Sequence, residues 1–408
     1  MGLAAATKTI NDLLRSHPPC RLQQQIRKQQ VLDGFPMYVD EKTFSQWHIA
    51  LYKFATMRPL LYVNHQAIQV ARAFFTQHAD LTIQALVDLP GQITHALFSL
   101  LRPGSSWGNE KTLALGKPEH IFEFERMWHP EYQRYCEHVF NHLIRIPLFI
   151  LGSLKTKNYQ NPALATRVGV LESNGLAALT GGFNPILRNA ISHGSIAFNL
   201  FDITYTDSGS TETLSAPGFS QLFDGLVDTC HAILVALLLF LCDHQSRLVT
   251  AGLHTLPLGV RFLFIDAFAT QEDFQLLAMI DSTAAQHRKQ LNVIGKIETR
   301  SRNFQLQEAL NVCWNVCNFG GESYDRFGVS FECGTLSNPF VFIDGTQLRD
   351  AINNDVPVDK GLSSIVESDR LWFRVPKVAE KIHLWKTILV LQWQLSKRQF
   401  INNLRSQG

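Results

Sequence analysis

Charge of one sign is missing from this sequence. Its 37 Lys and Arg stand against 35 Asp and Glu, a formal net charge of +2, and the sequence pI is near 8.1. A broad electrostatic footprint for nucleic acid is therefore absent, and any contact with a polyanion has to come from a local patch. Cysteine is sparse and unframed. Seven residues, an odd number at scattered spacings, point to reduced thiols in a cytoplasmic compartment and away from a disulfide scaffold. Cys313 and Cys317 are one helical turn apart, but no second pair or nearby His completes a zinc set, so they read as ordinary thiols.

Targeting signals are not evident either. The N-terminus does not show a basic segment followed by an apolar core, and Ala6 stands where a myristoylation signal carries Ser or Thr. The longest apolar run, Ala232 to Cys242, is too short to cross a bilayer and reads as a buried helix, so no membrane partner is expected. Gly320-Gly321 and Gly345 lack the spacing and the Lys of a phosphate loop, and no internal repeat or low-complexity segment is found. No cofactor is implied.

What is present is enough apolar material for large cores: 408 residues, 46 % hydrophobic, room for two or three domains. The expected class is mainly α with an α+β C-terminal part. Residues 1–118 read as a helical region that ends near Pro103-Gly104-Ser105-Ser106, 119–248 as a helical bundle with a short inserted β-hairpin, and 249–408 as an α+β domain. Within the first region, Arg21 to Gln30 looks like a solvated helix face, and the aromatic residues around Trp47, Tyr52, Phe54 and Tyr62 look like core.

From Pro118 a long helix is expected through Tyr135, Val139, Leu143 and Ile146, with a kink near Pro147. A second helix follows Asn161-Pro162 and carries Leu164, Val168, Leu171, Leu176 and Leu179. After Gly194 the pattern changes to alternation, with Ile203 and Tyr205 against Asp202, Thr204 and Thr206, and Asp207-Ser208-Gly209 makes the turn of a hairpin. Ser215 and Pro217 then open a long helix to Leu241, along which Asp224, Asp228 and His231 form a surface stripe that does not read as a metal site.

Beyond residue 248, Val260 to Phe268 is expected as a strand, and Glu272 to Lys289 and Leu306 to Cys317 as helices. Phe327 to Phe331 and Phe340 to Ile343 form a strand pair, Asp344-Gly345-Thr346 turns into a short helix, and Lys377 to Asn403 is a final helix. Its Lys381, Lys386, Lys397, Arg398 and Arg405 read as a solvated face, with RNA contact the alternative.

One short stretch concentrates reactive side chains. Asn184 suits an N-cap, Pro185 the first helical position, and Gly194 the left-handed residue that ends a helix, which frames a helix from Pro185 to His193. Ile186, Leu187, Ala190 and Ile191 fall on one side of it, and Arg188, Asn189, Ser192 and His193 on the other. Asn189 and His193 are one turn apart, so the amide is placed to orient the imidazole. An Arg/His spacing of this kind also occurs at Arg58/His65, Arg72/His78 and Arg247/His254; the Asn after Arg188, the Asn-Pro start and Gly194 set this copy apart.

These residues suit RNA cleavage without a metal. RNA carries its own nucleophile in the 2′-hydroxyl. A histidine moves the proton, a guanidinium holds the phosphate oxygens, and a 2′,3′-cyclic phosphate is the product. In this form, Asn-Pro-Ile-Leu-Arg-Asn-Ala-Ile-Ser-His-Gly resembles the core motif of the HEPN superfamily of ribonucleases, over about residues 119–248. That family includes toxins, abortive-infection proteins and the nuclease halves of type VI CRISPR effectors.

The resemblance implies a helical bundle, a catalytic pair of Arg188 and His193 with Asn189 in support, and a homodimer whose two motifs face each other in a composite site. It implies RNA, with tRNA a first guess, as substrate, a role in antiviral or stress defence, and a regulatory partner or antitoxin. Glu172, on the preceding helix, and Ser192 are auxiliary candidates. Ser195 occupies the position at which some relatives carry a modified Tyr, so that mode of control is not expected. Two other readings stay open: a catalytically inactive module that binds RNA or a nucleotide, and a subunit used only for assembly.

Overall fold

A computed structural model describes residues 18–56, 64–100, 118–199, 202–252, 255–268, 274–282, 288–297, 302–320, 324–332, 340–354 and 365–370, with a few single positions between 385 and 396. The basic C-terminal residues Lys381, Lys386, Lys397, Arg398 and Arg405, together with Arg58, Tyr62, His254 and the Pro103–Ser106 stretch, lie outside them. The architecture is mostly helical, with a mixed sheet in the C-terminal part. The chain divides into two compact units: Thr56–Gln245 with Leu256–Val260, and Met1–Ala55 with Ser246–Thr255 and Arg261–Gly408. The helices expected to stand apart from the motif region up to residue 118 are thus shared between the two units.

The motif-bearing unit starts with α1 (His65–Gln77), α2 (Ala79–Asp88) and α3 (Pro90–Leu100). Asn64 caps α1 by accepting from the Ala67 amide at 2.9 Å. Next comes α4, a helical run over residues 118–143 with two wider π-type turns, Phe124–Trp128 and Tyr135–Phe140. The run breaks at Ile144, and α5 (Arg145–Lys155) holds Pro147 in its first turn. The break has a local cause: inside a continuous helix the Pro147 ring would clash with the carbonyl four residues back.

Helix α6 (Leu164–Ser173) stops earlier than expected, because the chain turns through Gly175 at φ +78°. Leu176 and Leu179 are buried all the same, in the turn that follows. Helix α7 is Pro185–His193, β1 to β3 are Ile196–Phe198, Asp202–Asp207 and Ser210–Ser215, and α8 is Ala216–Asp243. The three strands form one antiparallel sheet in the order β1-β2-β3, so the expected hairpin gains a strand. Its turn places Ser208 at φ +49° and Gly209 at φ +84°, the pair of positive angles that a tight two-residue hairpin turn requires. Ile203 and Tyr205 are buried at alternate positions of β2, as the alternation implies.

Helix α8 is the core of this unit. Ser215 caps it by accepting from the Gly218 amide at 3.2 Å, and buried residues run from Phe219 to Cys242. At 28 residues it is longer than its apolar run and by composition could cross a membrane, but 89 % of its most apolar stretch is buried inside the protein. Such burial identifies a core helix. Phe219 and Phe223 pack edge-on or tilted against Phe124, Tyr132 and Tyr135 of α4 at centroid separations of 5.3 to 5.7 Å. The supposed surface stripe is not one: His231 is buried, and Asp224 and Asp228 are half-buried.

The second unit holds a five-stranded sheet, β4 (Gln275–Asp281), β5 (Gln290–Lys296), β6 (Arg326–Glu332), β7 (Phe340–Asp344) and β8 (Val366–Arg370), in sequence order. Among the described residues only β5 and β6 pair in parallel, and helix Arg302–Gly320 lies in the crossover that a parallel pair needs. The expected β6–β7 pair and the short helix at Gly345–Asn353 are present.

Two expectations fail here. Val260 to Phe268 lies in a helix, Leu258–Ala267, and the stretch from Glu272 to Lys289 contains strand β4 where a helix was expected. The N-terminal helix Pro18–Gly34 also buries Gln24, Ile26 and Arg27, so Arg21 to Gln30 is not a solvated face throughout. Trp47 and Phe54 are core, and Cys313 is buried in its helix.

Candidate active site on the motif helix

Helix α7 forms as its sequence dictates. The Asn184 side chain accepts from the amides of Ile186 at 2.9 Å and Leu187 at 3.1 Å. Gly194, at φ +69°, closes the other end, and the Ser195 amide returns to the Ala190 carbonyl at 2.9 Å. Leu187 and Ala190 are buried and anchor the helix.

Its start is fixed from below by Tyr132, whose hydroxyl donates to the Gly182 carbonyl at 3.2 Å and accepts from the Asn184 amide at 3.0 Å. Burial pushes this phenol well above its usual range, so it stays neutral. Gly182, at φ +75°, presses on α8, and a β-carbon there would collide with the backbone of Leu222, Gly225 and Leu226.

The polar rows of α7 and α4 meet in antiparallel register. Arg188 faces Glu137 and Ser192 faces Gln133, so four residues up one helix answer four residues down the other. Arg188 Nε donates to Glu137 Oε1 at 2.5 Å, and Nη2 lies against the same oxygen. Arg188 Nη1 donates to Asn189 Oδ1 at 2.7 Å, and Asn189 Nδ2 donates to Asp207 Oδ2 at 2.7 Å. A chain of carboxylate, guanidinium, amide and carboxylate therefore runs from α4 across α7 to the hairpin turn.

The guanidinium side chain remains 31 % exposed and Glu137 26 %. Of the five N–H groups a guanidinium carries, those not directed at Glu137 and Asn189 can donate to a phosphate oxygen.

The other expected members are placed differently. Ser192 donates to the Arg188 carbonyl at 2.9 Å and accepts from Gln133 Nε2 at 3.0 Å, so it ties the two helices together. Glu172 is exposed at the end of α6 and accepts from Thr180 Oγ1 at 3.0 Å; no hydrogen bond or ion pair joins it to Arg188. His193 is exposed, and among the described residues it makes no hydrogen bond or ion pair. The expected Asn189 to His193 contact is not formed, because the amide is committed to Arg188 and Asp207.

Arg188 and His193 are five positions apart, about 140° around the helix axis and about 7.5 Å along it. One copy of the helix does not aim both at one phosphate.

Glu137 and Asp207 are the contacts that the sequence reading missed. Glu137 was findable in principle, because Gln133 and Glu137 repeat the four-residue step of Arg188 and Ser192. Asp207 was read only as a turn former. The hairpin that carries it is held to α4 by buried His129, which shares a hydrogen bond of 2.9 Å with Tyr205; burial draws this imidazole down to about 4, so it is neutral.

Among the described residues no group of three His, Cys, Asp or Glu side chains is arranged to hold a metal ion. Compared with known protein families, with curated proteins and with solved structures, the chain matches none.

Proposed function

We propose that this chain is a metal-independent endoribonuclease of the HEPN type, acting in the cytoplasm as a homodimer, with Arg188 and His193 as its catalytic residues. One observation carries the reading. Arg188 is held half-exposed by Glu137 and Asn189, while His193 stands exposed and unpaired at the far end of the same short helix. A guanidinium fixed in orientation suits the charge that develops on a phosphate in flight. An imidazole without an internal partner is free to work on the 2′-hydroxyl or the leaving oxygen in a site completed by the second chain.

In this reading Asn189 positions Arg188, a different task from the one its spacing suggested. The mostly helical unit with its small inserted sheet serves as the bundle, and toxin or antiphage defence under the control of a regulatory partner is the matching biological role.

The test is cleavage of labelled RNA by the purified chain in EDTA, with Arg188→Ala and His193→Ala compared at matched stability. Loss of cleavage in both, with cyclic-phosphate ends on the wild-type product, supports the reading; cleavage retained in both overturns it. A second reading, a binding or assembly module without catalysis, draws on the fact that no side chain orients His193 within one chain. It predicts RNA binding without cleavage.

A further inference from the structure

Three histidines and two arginines that the cleavage reading leaves unused gather beside Glu137, all within the motif-bearing unit. His138 and His142 are one turn apart on α4, and His95 reaches them from α3. His95 Nε2 lies 3.2 Å from His138 Nδ1, and the rings of His95 and His142 are 4.8 Å apart between centroids. Arg145 at the start of α5 and Arg167 on α6 act on His142 through space. Arg167 is fixed by donating to the Pro162 carbonyl at 2.8 Å and to Asn141 Oδ1 at 2.5 Å.

His142 Nδ1 and Arg145 Nε are buried and lack a hydrogen-bond partner. Among the described residues, Glu137 is the carboxylate that acts on Arg167, and Arg188 already holds it.

Two guanidinium groups among three imidazoles, with unpartnered nitrogens and a spent counter-charge, are poorly satisfied by themselves and well satisfied by an anion. We propose that His95, His138, His142, Arg145 and Arg167 form a phosphate-binding patch that seats the backbone of single-stranded RNA next to Arg188. The RNA part rests on the ribonuclease reading. The anion-binding part rests on the cluster alone.

The patch responds to pH. Burial, followed by His95, Arg145, His138 and Arg167, draws His142 down to about 4, and burial, followed by Arg145, lowers Arg167. A bound phosphate reverses the electrostatic part of that effect. Binding of an anion therefore favours protonated His142, so affinity is expected to rise as pH falls. Gln133 and Glu131 lie further back along α4 and face Ser192 and Arg134 instead.

The experiment is a fluorescence-anisotropy titration of the full chain with a labelled 2′-O-methyl RNA, which lacks the nucleophile and stays intact, at pH 7.5 and 6.0 over a range of salt. Wild-type protein is expected to bind more tightly at pH 6.0, by at most about 30-fold, the limit for one proton taken up over 1.5 pH units. The double variant of exposed residues, His95→Gln with His138→Gln, is expected to weaken binding several-fold. Arg145→Gln is expected to weaken binding at both pH values.

His193→Ala is expected to bind as wild type does, and in a parallel assay to fail to cleave unmodified RNA. No binding by wild type, no gain at pH 6.0, or a double variant that binds like wild type overturns the patch. Normal binding with no cleavage by any form overturns the ribonuclease reading and leaves the patch standing.

Discussion

Mixing inactive chains tests the shared site more sharply than either single substitution. Arg188 and His193 point in different directions from one short helix, so a productive site in a dimer takes Arg188 from one chain and His193 from the other. In an Arg188→Ala homodimer both sites then lack the guanidinium, and in a His193→Ala homodimer both lack the imidazole. A mixed dimer has one site with neither group and one with both. Random pairing of equal amounts gives about half mixed dimers, and hence about a quarter of the wild-type number of intact sites. Each variant alone is expected to fall about 10²- to 10⁴-fold, the usual cost of losing an acid/base group or a charge-stabilising donor.

The assay is cleavage of end-labelled RNA in EDTA by the two variants separately and after co-expression, with differently tagged chains to prove that mixed dimers form. Recovery to about a quarter of wild-type rate fits the shared site. Tagged mixed dimers no more active than the separate variants refute it, as does a fully active chain that remains monomeric.

Other perturbations read the supports of this site. Glu137→Gln removes the carboxylate that holds Arg188; because the pair is partly exposed it is expected to cost about 1 kcal/mol or less of stability in urea titration, while cleavage falls by more than that loss explains. Tyr132→Phe leaves the Asn184 amide and the Gly182 carbonyl without their shared hydroxyl, and a loss of about 1–3 kcal/mol is expected in the same titration. Gly182→Ala combines a positive φ with a collision against α8, so a loss of about 3 kcal/mol or more is expected, seen as a large drop in Tm.

Stability should also fall in acid. His129 and His231 are buried with values drawn from an ordinary 6.5 down to about 4, so the unfolded chain binds the extra protons, and the stability they contribute is present above pH 6.5 and lost toward pH 4. For His129 this amounts to about 2–3 kcal/mol, and His129→Gln should flatten the fall in urea midpoint. Asp228, pushed up to about 7 by burial and by Asp224, runs the other way, so Asp228→Asn should raise stability most at pH 7 and above.

The parts legible in the sequence are those set by local chemistry. Asn184, Pro185 and Gly194 fix the ends of α7, Ser215 starts α8, and Ser208-Gly209 turns the hairpin, because each requirement is met within a few residues. The misread stretches lack such a signal. Leu258–Ala267 is apolar nearly all round, and a buried helix with no polar face gives no period to distinguish it from a strand. Gln275–Asp281 contains residues comfortable in either state, and pairing with β5 decides for the sheet.

The partner of Arg188 is harder to read for a different reason. Glu172 is close in sequence to the motif, whereas Glu137 is brought to it by the register of two helices 51 residues apart. That register is held by Tyr132, bonded to Gly182 and Asn184, and by the Gln133 to Ser192 hydrogen bond, with Tyr132 itself packed on Phe219 and Phe223.

A near-zero net charge was read as the absence of a general footprint for nucleic acid, and the structure shows why that reading does not reach the site. Acidic and basic residues balance over the whole chain, but they are unevenly placed at the C-terminal end of α4, near Glu137. Arg145, Arg167, Arg188 and three imidazoles meet there with Glu137 alone among them. The single carboxylate is at hydrogen-bond distance from Arg188 and acts on Arg167 only through its field, so it orients the first without neutralising the second. The arrangement leaves a guanidinium fixed in orientation beside further basic side chains still short of counter-charge. In the ribonuclease reading, that is the local asymmetry by which a nearly neutral chain would grip a phosphodiester over a short length.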